Sequence, residues 1–288
     1  MEVVTTISEV RALVRQVKRS GRRVCLVPTM GALHAGHMSL VDVAREHAEF
    51  VLLYVFVNPT QFNSAADFET YPLTLEADIE ACRTARVDAV FCPSATDIYP
   101  NGIETTKDRP RGCRVTAGDV SWPLEGEHRP GHFDGVTTVI SLMFHITEPD
   151  CAVFGEKDFQ QLKVIEQLVR DQHFAVEIIP APLVRDDDGL ALSSRNVRLS
   201  PEGRARALVL SQALSQAAER VAAGERRAGQ LLEEARGVLS QPGVELEYVA
   251  IADSVTLQPL EMISGPCRML VAANVDGVRL IDNMLLEP

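Results

Sequence analysis

The most constraining feature of the sequence is a short apolar run that ends in a glycine-containing turn and continues with a helical pattern. Residues 23–27 have the character of a buried strand, and apolar side chains then recur at helical spacing at Met38, Leu40, Val41 and Ala44. Gly31 and Gly36 allow close backbone approach to a ligand, and a helix N-terminus offers N–H groups with partial positive charge. The stretch therefore predicts a strand, a turn and a helix start that suit a phosphate.

Two histidines lie inside this turn. His34 and His37 are three residues apart, so on a helix they share one face and can both donate to one anion. The stretch is neither a Walker loop nor a dinucleotide fingerprint, because the defining lysine and glycine patterns are absent. Taken alone, the pair fits one surface and one core histidine equally well. Only the longer string around it favours a binding site.

Composition limits the classes of partner. The chain has 288 residues, 46% of them hydrophobic and 24% charged, which is typical of a globular protein with about two domains. Its net charge of −12 and pI near 5.1 argue against a large nucleic-acid interface, which needs a basic surface. An anionic substrate must therefore meet a local positive pocket.

The cysteines and the apolar runs bear on localisation. Six cysteines are scattered without a C-x-x-C pair, so neither a zinc site nor a disulfide framework is indicated, and reduced thiols in a cytoplasmic protein are the simpler interpretation. No signal peptide is visible, and the longest apolar run, residues 50–57, is far short of a membrane span. We expect no membrane partner.

The first two-thirds of the chain alternates between strand and helix patterns. Helices are predicted at 8–19, with Ser8 as N-cap, and at 74–86, 135–146 and 158–171, and further strands at 50–57, 88–92, 151–154 and 175–179. Such alternation predicts an α/β fold with a Rossmann-like, doubly wound parallel sheet. Its ligand is expected at the C-terminal ends of the strands.

The pattern changes after Pro182. Long helices are predicted at 200–222 and 228–239, followed by strands at 245–250, 267–274 and 278–282, the last two joined by an Asp276-Gly277 hairpin turn. We therefore predict a Rossmann-like binding domain of residues 1–183 and a smaller C-terminal α+β domain of residues 184–288. The second domain is expected to close over the first as a lid.

Three more polar stretches follow predicted strands or turns. Gln61 lies in a polar loop after the second strand, where its amide could bind a carboxylate, hydroxyl or amine, although such loops are commonly only solvated. Lys157 lies at a similar strand end, and the alternative is a wet surface pair with a neighbouring carboxylate. Residues 184–196 combine an acidic-glycine turn with two serines and Arg195 on an expected exposed segment.

Several strings carry a family resemblance. Residues 28–37 resemble the His-x-Gly-His signature of nucleotidyltransferase-type enzymes and, residue for residue, a segment of the pantothenate synthetase family. The Asn-Pro-x-Gln-Phe string at 58–62 resembles the family's substrate loop, and further matches occur in family order at 71–72, 98–102, 129–133 and 279–283. Residues 107–123 look longer than is usual for the family, so no role is transferred to them.

The resemblance implies a two-step reaction. Pantoate and ATP would form a pantoyl adenylate and pyrophosphate, and β-alanine would then displace AMP to give pantothenate. Mg²⁺ would bridge the phosphates, His37 would be the catalytic residue that donates to the leaving phosphate, and the protein would be a homodimer. The metal ligands are unknown; Asp78 is a candidate by position, although a carboxylate on an exposed helix is usually only solvated.

The site residues that the resemblance implies form three sets. The ATP contacts are Met30, Gly31, Ala32, Leu33, His34, Ala35, Gly36, His37, Gly155, Glu156, Lys157, Asp158, Val184, Leu192, Ser193, Ser194 and Arg195. Pantoate would contact Gln61 and Gln161, and β-alanine would contact Gln61.

Three other functions stay open at this point. An adenylyltransferase of another small carboxylate or mononucleotide would share the first signature but has no need of Gln61 and Gln161 together. An aminoacyl-tRNA synthetase fragment is disfavoured by the negative charge. A nucleotide-binding regulatory protein without turnover could keep the glycines, but it has no reason to keep His37, Lys157 and Arg195.

Overall fold

The computed structural model describes residues 1–63, 65–102 and 112–288, so residues 107–111 of the long segment lie outside the described part. The strands are β1 Glu2–Val4, β2 Val24–Thr29, β3 Phe50–Val55, β4 Ala89–Phe91, β5 Cys151–Gly155, β6 Glu177–Ala181, β7 Val244–Asp253, β8 Cys267–Val275 and β9 Val278–Leu286. The α-helices are α1 Ile7–Arg19, α2 Ala35–His47, α3 Ala65–Glu69, α4 Leu75–Thr84, α5 Ala95–Ile98, α6 Glu125–His128, α7 His132–Thr147, α8 Phe159–Asp171, α9 Pro201–Ala222 and α10 Ala228–Leu239. Short 3₁₀ helices cover Pro59–Gln61, Asp119–Ser121, Glu156–Asp158 and Ser194–Arg198.

The first six strands form one parallel sheet in the order β1-β4-β3-β2-β5-β6. The chain runs outward from β2 through β3 to β4, and it then returns to build β5 and β6 on the other side of β2. The predicted doubly wound α/β sheet is confirmed. The order reverses between β2 and β5, and ligands of such sheets bind outside the carboxyl ends of the strands at this point.

Local sequence explains the start of α1, although at a different residue from the one predicted. Helix α1 buries Val10, Leu13, Val14 and Val17 on one stripe, and each such side chain contributes about 1.5–3 kcal/mol when fully buried. Its N-cap is Thr6, whose hydroxyl accepts from the Glu9 amide while the Glu9 carboxylate accepts from the Thr6 amide. The prediction of Ser8 as the cap was wrong, because this reciprocal capping box starts two residues earlier.

The last three strands form a separate antiparallel sheet in the order β7-β8-β9, against which α9 and α10 pack. The predicted hairpin turn is confirmed, since Asp276 and Gly277 have φ of 48° and 82° between β8 and β9. Positive φ at both positions is what a two-residue hairpin of the favoured hand requires. The predicted smaller α+β portion is therefore present.

The chain divides into two compact units. The first contains residues 1–121, 129–156 and 161–182, and the second contains 122–128, 157–160 and 183–288. The domain boundary near residue 183 stays a prediction. Across the described residues, none of the helices combines the length and the hydropathy that crossing a bilayer requires.

Candidate active site

Two strand ends frame the candidate site in the first unit. Strands β2 and β5 are neighbours at the point where the strand order reverses. Residues 30–37, here called the histidine turn, follow β2 and enter α2, whereas Gly155 and Glu156 lie at the end of β5. The predicted ATP contacts of this unit therefore begin at the sheet edge where a doubly wound fold binds its ligand.

The histidine turn is supported from α4. Gly31 and Ala32 both have positive φ, 80° and 50°. The buried Asp78 carboxylate accepts hydrogen bonds from the amides of Ala32 and Leu33 at 3.0 and 2.8 Å. A Cβ at Gly31 would lie 2.9 Å from the Asp78 Oδ2 atom, so glycine is required both by the backbone angle and by this contact.

The expectation that Asp78 is merely solvated was wrong. Its side chain is only 3% exposed, and Oδ1 also accepts from the Thr74 hydroxyl at 3.2 Å. Among the described residues, no three His, Cys, Asp or Glu side chains stand together as a metal site. Asp78 is therefore an acceptor that shapes the turn, and the described residues provide no ready-made cage for a metal ion.

The two histidines contact each other directly. Their ring centroids are 4.1 Å apart, and the His34 amide donates to Nδ1 of His37 at 3.3 Å. Nδ1 can accept only without a proton, so the neutral His37 ring carries its hydrogen on Nε2. His37 is thereby prepared to donate a hydrogen bond from Nε2.

Several main-chain amides of the histidine turn already donate hydrogen bonds within the protein and are not available to a ligand. Ala32 and Leu33 donate to Asp78, His34 donates to His37, and the His37 amide donates to the His34 carbonyl at 2.8 Å. With the residues that the structure describes, the amides of Ala35 and Gly36 make no hydrogen bond. The anion-binding capacity of this helix start is therefore concentrated on those two peptide groups.

Gln61 lies against the histidine turn. Its Nε2 contacts Sδ of Met30 at 3.1 Å, and its Oε1 accepts from Nδ2 of the buried Asn58 at 3.0 Å. The Asn58 Oδ1 atom in turn accepts from the hydroxyls of Thr60 and Tyr99 at 2.9 and 2.7 Å. Burial raises the pKa of Tyr99, although its hydrogen bond with Thr60 acts in the opposite direction. The raised pKa keeps the Tyr99 hydroxyl protonated as a donor.

The backbone of Gln61 is also fixed. Nδ1 of His132 donates to the Gln61 carbonyl at 2.7 Å, and Arg129 donates to the same oxygen at 3.3 Å. A Cβ at Gly135 would lie 2.5 Å from the Thr60 carbonyl, so only glycine lets α7 approach this loop. These supports were missed in the sequence, where Asn58, Arg129 and His132 have no predicted role, although two of the family strings contain them.

Gln161 is placed on the first turn of α8. It is half-buried and belongs to the first unit. No contact joins it to Gln61 among the hydrogen bonds of the described residues. Its predicted contact with pantoate stays a prediction.

The remaining predicted contacts belong to the second unit. Lys157 lies in the 3₁₀ helix Glu156–Asp158, and its side chain is 22% exposed, with Nζ 3.6 Å from the Asp158 carboxylate. Residues 157–158, which belong to the second unit, are here called the lysine turn. The ammonium group is thus accessible and partly neutralised by the adjacent residue.

A second group in this unit is built around a hairpin. Val184 accepts from the Leu192 amide at 3.0 Å, and Arg185 and Ala191 form an antiparallel bridge; residues 184–192 are here called the Val184 hairpin. Ser193 then caps the 3₁₀ helix Ser194–Arg198 by accepting from the Arg195 amide at 3.2 Å. The structure therefore brings together Val184 and the segment that contains Leu192, Ser193, Ser194 and Arg195.

The chain matches known proteins over nearly its whole length. Residues 2–285 match the family described as Pantoate-beta-alanine ligase. The pantothenate synthetase of Cereibacter sphaeroides is 47% identical over 283 residues, which is 98% of this chain and 98% of the relative.

Solved structures agree with this match. A crystal structure of pantothenate synthetase from Thermus thermophilus has a TM-score of 0.91 at 41% identity and covers 100% of both chains. A pantoate-beta-alanine ligase from Francisella tularensis, solved in complex with beta-gamma ATP and beta-alanine, has a TM-score of 0.75 at 33% identity and covers 99% of this chain and 97% of its own. The chain therefore belongs to the pantoate-beta-alanine ligase family.

Proposed function

We propose that this chain is an AMP-forming ligase that joins pantoate to β-alanine at the expense of ATP. The observation that carries the proposal is the contact between the Gln61 amide and Met30 of the histidine turn. This contact supports a site in which the Gln61 amide would recognise a carboxylate or hydroxyl and the Ala35 and Gly36 amides of the same turn would bind phosphate. The beta-gamma ATP and beta-alanine bound by the Francisella relative support ATP and β-alanine as ligands here.

The reaction proceeds in two displacements. A carboxylate oxygen of pantoate attacks the α-phosphorus of ATP, the bond to the bridging oxygen breaks, and pyrophosphate leaves. The amine of β-alanine then attacks the carbonyl of the pantoyl adenylate, loses a proton, and AMP leaves with the electrons of the C–O bond. The first step brings two anions together, so donors that stabilise charge on the phosphates lower its barrier.

His37 is the catalytic residue of the proposal. Because Nδ1 accepts the His34 amide, the neutral ring carries its hydrogen on Nε2, which is the donor to the leaving phosphate. Lys157 and Arg195 would supply positive charge to the phosphates, as the resemblance implies. Gln61 would orient pantoate and later β-alanine, and Gln161 would contact pantoate.

Mg²⁺ enters this proposal with the nucleotide. The described residues offer no cluster of metal ligands, and the Asp78 oxygens already accept two amides and a hydroxyl. Mg²⁺ commonly binds mainly to substrate phosphates and water. We therefore treat MgATP as the substrate and derive no step through a resident metal.

Product analysis tests the reaction. Purified protein is mixed with ATP, Mg²⁺, pantoate and β-alanine, and AMP, pyrophosphate and pantothenate are measured. We expect AMP release that requires both acids, and pyrophosphate exchange into ATP that requires pantoate alone. AMP release without pantoate, or adenylation of an unrelated acid in its place, would contradict the proposal.

The proposal extends to the location and the oligomeric state of the protein. We place the reaction in the cytoplasm, and we propose a homodimer, as the resemblance implies. Light scattering after size exclusion measures the mass in solution; twice 31.6 kDa is expected for the dimer, and a single 31.6 kDa species would contradict it.

A further inference from the structure

The family string at residues 279–283 has no role in the reaction described so far, yet its last residue contacts the lysine turn. Asn283 lies on β9 and is 4% exposed. Its Nδ2 donates to the main-chain carbonyl of Lys157 at 3.0 Å. The two residues are 126 positions apart in the chain, so this side chain provides a long-range tie to the peptide of a predicted phosphate ligand.

A second side chain holds the Asn283 amide in that orientation. Arg268 of β8 donates from Nη1 to Oδ1 of Asn283 at 3.0 Å, which leaves the NH₂ group to face Lys157. The same guanidinium lies 4.1 Å from the centroid of the Phe159 ring, at the start of α8. Arg268 therefore fixes both the amide that binds the lysine turn and the first helical residue after it.

The neighbouring residue of β9 makes an equivalent tie to the Val184 hairpin. Asp282 is 4% exposed and receives two hydrogen bonds from Arg185, at 2.7 and 2.9 Å. Arg185 also donates to the Gly189 carbonyl at 3.1 Å, within the same hairpin. A planar guanidinium bound to both carboxylate oxygens has one preferred orientation.

We infer that Asn283 and Asp282 are positioning residues for ATP, with Asn283 holding the lysine turn and Asp282 holding the Val184 hairpin. Neither needs to touch the substrate. Two adjacent residues of one strand fix the two segments of the second unit to which the resemblance assigns nucleotide contacts. The inference rests on the proposed function, because it assumes that Lys157 and the segment from Leu192 to Arg195 bind the phosphates.

The decisive variant is Asn283→Asp. The substitution preserves size and preserves the acceptor for Arg268, but a carboxylate cannot donate to the Lys157 carbonyl. Loss of one buried hydrogen bond corresponds to about a tenfold change in an equilibrium constant. We expect the KM for ATP to rise about tenfold and the KM for pantoate to change less than about twofold. The melting temperature should fall by about 2–4 °C, because the Lys157 carbonyl loses a buried donor.

The matched control is Asn274→Asp, the same chemical change at a half-buried position of the adjacent strand β8. This control variant should leave the KM values for ATP, pantoate and β-alanine unchanged. If Asn283→Asp also leaves the KM for ATP unchanged, or raises the KM for pantoate equally, the inference is wrong. Should that variant fold poorly, Phe159→Leu removes the aromatic partner of Arg268 while keeping an apolar side chain, and about a twofold rise in the KM for ATP is expected.

A double-mutant cycle separates this inference from the proposed function. If Asn283 acts through Lys157, adding Asn283→Asp to Lys157→Ala should cause little further change. Fully additive effects would contradict the positioning role. If Lys157→Ala alone leaves ATP kinetics unchanged, the role of Lys157 in the proposed function fails instead.

Discussion

The histidine turn and the lysine turn are both held by side chains from distant segments, but with opposite polarity. In the first unit, the Asp78 carboxylate accepts amides of residues 32 and 33. In the second unit, the Asn283 amide donates to the carbonyl of Lys157. The first support is charged and makes two main-chain hydrogen bonds, whereas the second is neutral and makes one.

This difference indicates how much each turn depends on its support. A hydrogen bond that involves an ionised group contributes about 1.5–3 kcal/mol, compared with about 0.5–1.5 kcal/mol for a neutral pair. The histidine turn also contains Ala32 in a left-handed conformation, which is unfavourable for any residue with a Cβ. We therefore expect losing Asp78 to be more damaging than losing the donor of Asn283.

The largest expected effect is the loss of adenylation rate on removing the imidazole of His37. His37→Ala should fold normally and lower the adenylation rate by about 10²–10⁴-fold, because it removes the proposed donor to the leaving phosphate. The measurement is pyrophosphate exchange in the presence of pantoate, with circular dichroism as the test of folding. His47→Ala, at the other end of α2, is the control and should retain full activity. Near-native exchange by a folded His37→Ala protein would remove His37 from the catalytic role.

The next effect tests the comparison directly. Asp78→Asn presents an NH₂ group to one of two backbone donors, so we expect kcat/KM for ATP to fall about thirtyfold and the free energy of unfolding by about 2 kcal/mol. Urea denaturation and steady-state kinetics measure the two quantities. Glu76→Gln, at an exposed position on the same helix, should change neither. A smaller loss than that of Asn283→Asp would reverse the ranking of the two supports.

Gln61 tests whether the first unit also selects the acid. Gln61→Ala should raise the KM for pantoate about tenfold and the KM for ATP less than about twofold, since it removes an amide that is held by Asn58. Initial rates with each substrate varied in turn give both constants. Gln16→Ala, on the exposed side of α1, is the control. A change confined to ATP would show that the loop serves the nucleotide instead.

The smallest effect concerns Glu225, another carboxylate that accepts main-chain amides. Glu225 accepts from the amides of Arg226 and Arg227, both at 3.0 Å, in the connection between α9 and α10. The Arg227 side chain, together with these amides, lowers its pKa from 4.5 to about 2. A carboxyl group whose pKa falls on folding stabilises the folded protein at pH values above the pKa of 4.5 that it has in the unfolded chain. This contribution is lost as the pH falls toward 2.

Melting temperatures measured from about pH 5 down to about pH 2 test this point. Glu225→Gln should be less stable than the wild type at the upper end of this range, and the difference should shrink as the pH falls through 4.5 toward 2. Glu219→Gln on α9, whose carboxylate accepts no backbone amide from the part of the chain that the structure describes, is the control for the same chemical change. A gap that widens with acidity would contradict the sign of the shift.

Features encoded by adjacent residues could be predicted from the sequence. Helix α10 occupies the predicted residues 228–239, and the Asp276-Gly277 turn joins β8 to β9 as expected. Strand β1 was not predicted, because three residues at a sheet edge carry too little periodicity to recognise. The parallel, doubly wound class of the first sheet was also predicted from the alternation of helices and strands.

The supports of the site could not be predicted in the same way. Asp78 belongs to a helix whose first turn looks acidic and solvated, and nothing local indicates that it meets the amide of Leu33, 45 positions away. Asn283 acts on a residue 126 positions away. Periodicity reports which face of an element is buried, but not which backbone group a polar side chain will find there.

The two remaining amides of the histidine turn, at Ala35 and Gly36, belong to the main chain. Because the proposed phosphate contact is made by peptide groups, most side-chain replacements at residue 35 should leave nucleotide affinity unchanged. Proline is the exception, because it removes the hydrogen while remaining well suited to the first position of a helix, which Ala35 occupies. One proline there would subtract a single donor and leave every other group of the enzyme in its place.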